Sequence, residues 1–115
     1  MKILVVDDDM HIQRLYKEEL EEDGYEVVIA SNGKEAIELF ESETPDLVTL
    51  DILLPDVDGI RLLRQMKEKN PKVPIIMSTA YDYRDDFAVW ASEAYIVKSS
   101  DLDELKSTIK KLTNK

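Results

Sequence analysis

Cysteine is absent from this chain of 115 residues. That excludes a disulfide framework and any thiolate metal site, and it sets the expectation of a reducing compartment, the cytoplasm. Positive charge is scarce: 15 Lys and Arg face 25 Asp and Glu, for a net charge of −10. A field of that sign repels nucleic acid phosphates and acidic membrane surfaces, and no basic run interrupts it. Long apolar runs are missing as well. The opening run Ile3-Leu4-Val5-Val6 is far too short for a signal peptide and no cleavage site follows it. No segment approaches the length of a membrane span. Direct binding of nucleic acid or membrane is therefore not expected. No linker, repeat or low-complexity segment divides the chain, so a single domain over 1–115, without an output domain, is expected.

What is present is a strict alternation of two periods. Apolar runs at 2–6, 25–30, 47–50, 73–77 and 94–97 read as buried strands. Between them, apolar residues recur at helical spacing. Ile12, Leu15, Tyr16 and Leu20 mark a helix over 10–23, with Gly24 at its C-terminal end. Ala36, Ile37 and Phe40 mark a second, opened by a capping-box-like Asn32 and Glu35. Ile60, Leu63 and Met66 mark a third, ended by Asn70-Pro71, and Phe87, Trp90 and Ala91 a short fourth. Leu102, Leu105, Ile109 and Leu112 form the stripe of a last helix, with Asp101 near its N-cap. Five such units predict an α/β protein, a flavodoxin-like (βα)5 three-layer sandwich. Its parallel five-stranded sheet takes the order 2-1-3-4-5, and its fourth helix is short or irregular.

In a parallel sheet the C-terminal strand ends share one edge, where open α/β sheets bind ligands. The first strand ends at Asp7-Asp8, the third at Asp51, the fourth at Ser78-Thr79 and the fifth at Tyr95-Ile96-Val97-Lys98. Three carboxylates, a hydroxyl and an ammonium should therefore meet in one shallow pocket. At about 4 Å and an effective dielectric near 20, each carboxylate pair costs on the order of 4 kcal/mol. A proton, Lys98 or a divalent cation could offset that cost. Oxygen ligands without Cys or a nearby His select a hard ion, Mg²⁺ or Mn²⁺. Thr79 and Lys98 are the donors a phosphoryl group would need, so the constellation points to phosphoryl transfer with a carboxylate nucleophile.

Over essentially its full length the chain resembles a response-regulator receiver domain of two-component signalling, of the chemotaxis-regulator-like kind. The matching pieces are Val5-Val6-Asp7-Asp8, Asp51-Ile52-Leu53-Leu54-Pro55 with Gly59, Thr79-Ala80, and Tyr95-Ile96-Val97-Lys98. The resemblance implies that Asp51 accepts a phosphoryl group from a histidine of a sensor kinase or histidine phosphotransfer protein. It implies Mg²⁺ on Asp8, Asp51 and the Leu53 backbone carbonyl, with Asp7 acting mainly through water. Lys98 would pair with phosphoryl oxygens. Thr79 would bond the phosphoryl group and let Tyr95 turn inward, switching affinity for a downstream protein target. Such a domain catalyses its own phosphorylation and dephosphorylation but is not a conventional turnover enzyme. It would act as a monomer or a phosphorylation-dependent dimer.

Two departures from the family pattern stand out. Ser99-Ser100 follows Lys98 where the family usually carries proline, and Ser92-Glu93-Ala94 replaces the common Gly-Ala before the last strand. They keep a second function in view, a degenerate receiver that binds partners without phosphorylation. A phosphatase with an aspartyl nucleophile would need an acid two residues after Asp51, where Leu53 stands. Other residues take plainer roles. His11 sits exposed in the first turn of helix one and Asp9 caps that helix. Asp56 and Asp58 are solvated loop acids, and Met66 and Met77 belong to the core. Trp90 is a core residue or a partner anchor, and Tyr81, near the pocket mouth, either restricts water reaching phosphorylated Asp51 or merely covers the loop.

Overall fold

The computed structural model describes residues 1–79, 94–97 and 102–113. Strands β1 (Lys2–Val6), β2 (Glu26–Ala30), β3 (Leu47–Leu50), β4 (Ile75–Thr79) and β5 (Ala94–Val97) form one sheet in the order β2-β1-β3-β4-β5. Every pairing is parallel. The helices are α1 (Met10–Glu22), α2 (Gly33–Glu43), α3 (Gly59–Lys69) and α4 (Asp103–Thr113). The strand order is the expected one, and α4 is the helix expected last in the chain. The short helix expected around Phe87, Trp90 and Ala91 lies outside the described residues, as do Tyr81 and the Asp101 cap.

Alternation along the strands sorts the apolar residues into two cores. Leu4, Val6, Val48, Leu50 and Ile75 face α2 and α3, meeting Phe40, Leu62, Leu63 and Met66. Ile3, Val5, Leu47 and Ile76 face α1 and α4, meeting Tyr16, Leu20, Leu105 and Ile109. Helices thus cover both faces of the sheet, which is what all-parallel strands require. One polar link crosses the second core: the Tyr16 and Ser78 hydroxyls, both buried, lie 2.7 Å apart and tie α1 to β4.

The expected strand over 73–77 is displaced. β4 starts at Ile75 and continues to Thr79, so Ser78 and Thr79 are strand residues rather than loop. Pro74 has no N–H to donate, and its carbonyl only accepts from the Val48 N–H (3.0 Å).

Among the described residues, one non-glycine position has a strained backbone. Thr44, the C-cap of α2, sits at φ 45° and ψ 61°, a left-handed conformation that a β-branched residue rarely adopts, and Pro45 follows it. Thr44→Gly should raise stability by roughly 0.5–1 kcal/mol, because glycine takes this conformation without the Cβ penalty. A higher thermal midpoint is the expected result, and a lowered one would count against strain at this cap.

Candidate functional site

β1 and β3 lie side by side with Val6 opposite Leu50. The next residue of each strand, Asp7 and Asp51, therefore leaves the sheet at the same edge. The ladder holds both backbones: the Asp51 N–H donates to the Val6 carbonyl and the Asp7 N–H to the Ala30 carbonyl, each at 3.0 Å. Asp7 and Asp51 are buried, at 2% and 6% exposure, while Asp8 is open to solvent. The carboxylates of Asp7, Asp8 and Asp51 each place an oxygen within 4.8 Å of the others. Such a cluster, all oxygen and carrying three like charges, is chemically matched to a small hard divalent cation.

Local bonds aim these groups. Asp7 Oδ1 accepts the Asp9 N–H (2.9 Å), and Asp9 Oδ1 accepts the His11 N–H (2.8 Å), which caps α1. Asp51 Oδ1 accepts the Leu53 N–H (3.2 Å). Leu53 and Asp58 form an antiparallel bridge, and the Gly59 N–H donates to the Ile52 carbonyl at 2.8 Å. The segment after β3 is thereby closed at its base, with the Leu53 backbone held beside Asp51.

The acids of that segment are not merely solvated, as the sequence had led one to expect. Asp58 is the N-cap of α3, taking the Ile60 N–H at 2.9 Å. Asp56 reaches across to α2, where the Gly33 N–H donates to Oδ1 (2.8 Å) and the Lys34 N–H to Oδ2 (3.1 Å). The Gly33 bond above all holds the Asp56 carboxyl below its ordinary value of 3.8. This contact therefore supports the fold fully above that ordinary value, and its contribution fades as pH falls through the lower folded-state value. A second contact is equally hidden in the sequence. Gln13 Nε2 donates both to the Asp7 carbonyl (2.5 Å) and to Ser31 Oγ (3.0 Å), joining α1, the first site loop and the start of α2.

The structure brings Asp7, Asp8 and Asp51 together and puts Leu53 two residues beyond Asp51. Thr79 ends β4 and Tyr95 lies in β5, where Thr79 pairs with Val97 and Met77 with Tyr95. Lys98, Ala80 and the Ser99-Ser100 departure lie outside the described residues. His11 is exposed in the first turn of α1, and Met66 and Met77 are fully buried, as expected. A groove of about 570 Å³ between the C-terminal ends of α2 and α3, lined by Phe40, Thr44, Lys69 and Lys72 among others, contains none of the site carboxylates. No helix among the described residues is long and apolar enough to cross a membrane.

Comparison with known proteins agrees with this geometry. A family model described as response regulator receiver domain matches residues 3–110. The alkaline phosphatase synthesis transcriptional regulatory protein PhoP of Bacillus subtilis is 46% identical over 85 residues, covering 74% of this chain but only 35% of that protein. The sporulation initiation phosphotransferase F of the same organism is 35% identical over 113 residues, covering 96% of this chain and 91% of that one. Among solved structures, the response regulator TrrA of Thermotoga maritima, in complex with Mg²⁺–BeF, superposes with a TM-score of 0.93. It is 47% identical, over 96% of this chain and 97% of that one. TrrA in complex with the histidine kinase ThkA gives a TM-score of 0.92 at 46% identity, over 98% of each chain.

Proposed function

The chain belongs to the response regulator receiver domain family of two-component signalling, and from that premise we propose that it accepts a phosphoryl group on Asp51 from a phosphohistidine. Receiver domains are signalling modules rather than conventional turnover enzymes. The observation that carries the proposal is the convergence of Asp7, Asp8 and Asp51 within 4.8 Å at the edge of the sheet.

A carboxylate is a weak nucleophile, so positioning and charge neutralisation must supply the acceleration. One oxygen of Asp51 forms a bond to phosphorus as the bond to the donor nitrogen breaks, and the departing imidazole keeps that electron pair. The ladder bond to Val6 and the Leu53 N–H on Oδ1 fix the attacking group before the donor arrives. Asp8, Asp51 and the Leu53 carbonyl would hold Mg²⁺ directly, with Asp7 acting through water. The ion, when bound, offsets the clustered negative charge; Mn²⁺ is the alternative hard ion. Thr79 and Lys98 would receive the phosphoryl oxygens, and Thr79 and Tyr95 would pass the change to a protein target.

The donor is a sensor histidine kinase or a histidine phosphotransfer protein, in line with the TrrA–ThkA complex. The module acts in the cytoplasm, as a monomer or phosphorylation-dependent dimer, without touching nucleic acid or membrane itself. The chain spans about a third of the length of PhoP.

Incubation with acetyl phosphate followed by intact mass measurement tests the proposal. A Mg²⁺-dependent gain of one phosphoryl group, stable in acid and labile in base, is expected for the wild type and absent from Asp51→Asn. No gain in the wild type would instead favour a degenerate receiver that binds partners without phosphorylation.

A further inference from the structure

The contact between Asp56 and α2 lies outside the phosphoryl-transfer constellation, yet it ends three residues from the Leu53 carbonyl. We propose that Asp56 is a positioning residue: by holding the first two N–H groups of α2 it fixes the loop that presents the Leu53 carbonyl, and so sets the affinity of the site for a divalent cation. The inference rests on the cation-dependent reading above and extends it to residues that touch neither cation nor phosphoryl group.

Two independent observations support it. The first is the pair of bonds, one from each backbone N–H to a separate oxygen of the same carboxylate, at 2.8 and 3.1 Å. Helix-start amides are well suited to such an anion. The second is steric. A Cβ on Gly33 would lie 2.1 Å from Val57 Cγ1 and 3.3 Å from Asp56 Oδ1. An added methyl at the start of α2 would have to displace the Val57 side chain, so the loop tip could not stay seated as it is. The loop is closed at its base by the Gly59–Ile52 bond and the Leu53–Asp58 bridge, and Asp56 anchors its tip.

The helix start that receives the tip is tied to the other half of the site as well. Ser31, two residues before Gly33, accepts from the Gln13 amide that also binds the Asp7 carbonyl. The start of α2 thus supports both loops that carry the acidic cluster. A metal site tolerates displacements of only about 0.5 Å in its ligands. A loop tip set free would move the Leu53 carbonyl while leaving the Asp7 and Asp51 side chains on their strands.

The test is calorimetric titration of the whole chain with Mg²⁺, alongside urea unfolding, for the wild type, Asp56→Ala, Asp56→Asn and Gly33→Ala. Asp56→Ala should weaken Mg²⁺ binding on the order of tenfold, the lower end of what loss of an outer support costs a metal site. Asp56→Asn keeps one acceptor oxygen and should fall between it and the wild type. Gly33→Ala keeps every charge but unseats the tip, and should resemble Asp56→Ala. In acetyl phosphate labelling, saturating Mg²⁺ should restore the wild-type rate to the Asp56 variants, because positioning changes the Mg²⁺ requirement and not the nucleophile.

Lower urea midpoints with unchanged Mg²⁺ affinity would overturn the proposal, since they would reveal a helix cap and nothing more. An Asp56→Asn loss as large as that of Asp56→Ala, with Gly33→Ala unaffected, would also overturn it by assigning the effect to net charge. A wild type that takes up no Mg²⁺ would overturn this inference together with the cation-dependent reading beneath it. Equal affinity in all four proteins would overturn this inference alone.

Discussion

Gly59→Ala should be about 3 kcal/mol less stable than the wild type, the upper part of the range for forcing a methyl group into a packed interior. Gly59 opens α3 and is buried. A Cβ there would lie 2.1 Å from the Asp51 carbonyl oxygen, 2.6 Å from Ile52 Cα and 2.9 Å from the Asp51 carbonyl carbon. All three neighbours are backbone atoms, so no side chain can swing aside. Relief requires the start of α3 to move away from the end of β3, which breaks the Gly59–Ile52 bond and disturbs the Leu53 backbone. Gly24→Ala is the informative control. Gly24 holds φ at +91° with nothing within 4 Å of an added Cβ, so that variant bears only a conformational cost of about 1–2 kcal/mol. Urea unfolding followed by far-ultraviolet circular dichroism would compare the two. A Gly59→Ala midpoint at or above that of Gly24→Ala would refute the close-approach argument. The larger loss should also be accompanied by weaker Mg²⁺ binding, because the shift begins at Asp51 itself.

The clash at Gly59 illustrates what a linear chain can and cannot disclose. Strands and helices were legible because their signals are local. Ile3 to Val6 is a continuous apolar run, and the stripe of Tyr16 and Leu20 repeats at helical spacing. The capping pair of Asn32 and Glu35 forms as read: the Glu35 N–H donates to Asn32 Oδ1 at 2.8 Å. The return bond differs, since the Glu35 carboxylate takes the Ser31 N–H at 3.0 Å rather than that of Asn32. β4 starts later than the apolar run does, at Ile75, because Val73 and Pro74 extend that run while Pro74 lacks the N–H a ladder needs. Strand order also followed, since right-handed crossovers leave few arrangements for alternating units.

The acidic cluster was legible for a related reason. Topology alone brings the ends of β1 and β3 to one edge, and Asp7, Asp8 and Asp51 are the residues found there. What stayed hidden are contacts between segments distant in sequence. Asp56 lies 23 residues from Gly33, and no periodicity links them. An acid between Pro55 and Val57 looks the same whether it faces water or a helix start. Gln13 is equally silent: a polar residue on an amphipathic helix suggests a solvated face, yet it bonds the Asp7 carbonyl. The one clue to the Asp56 contact was Gly33 directly after Asn32, a glycine inside the first turn of a helix where propensity disfavours it. Its use is to admit the Val57 and Asp56 side chains of a distant loop, which a strand-and-helix reading has no means to supply.

Mg²⁺ should invert the stability ranking of the wild type and Asp8→Asn. In metal-free buffer at neutral pH the three carboxylates crowd within 4.8 Å. Asp8 is open to solvent, so its two repulsions are screened to roughly 1 kcal/mol each. Replacing its charge should raise the melting temperature by several degrees, at about 4 °C per kcal/mol for a domain of this size. Mg²⁺ added at 100 times its dissociation constant stabilises a binding-competent fold by about 2.7 kcal/mol, or about 10 °C on the same scale. The wild type should gain that increment. Asp8→Asn, lacking one of the carboxylates assigned to the ion, should gain little and end below it. Thermal unfolding of both proteins, with and without Mg²⁺, reads all four states directly. A variant that melts lower than the wild type even in metal-free buffer would mean that the cluster is not under repulsive load. Equal Mg²⁺-induced shifts in both proteins would remove Asp8 from the ion's ligands. The expected crossing has a functional basis. On the proposed reading, the site keeps like charges together at a cost to the empty fold, and the bound cation offsets it.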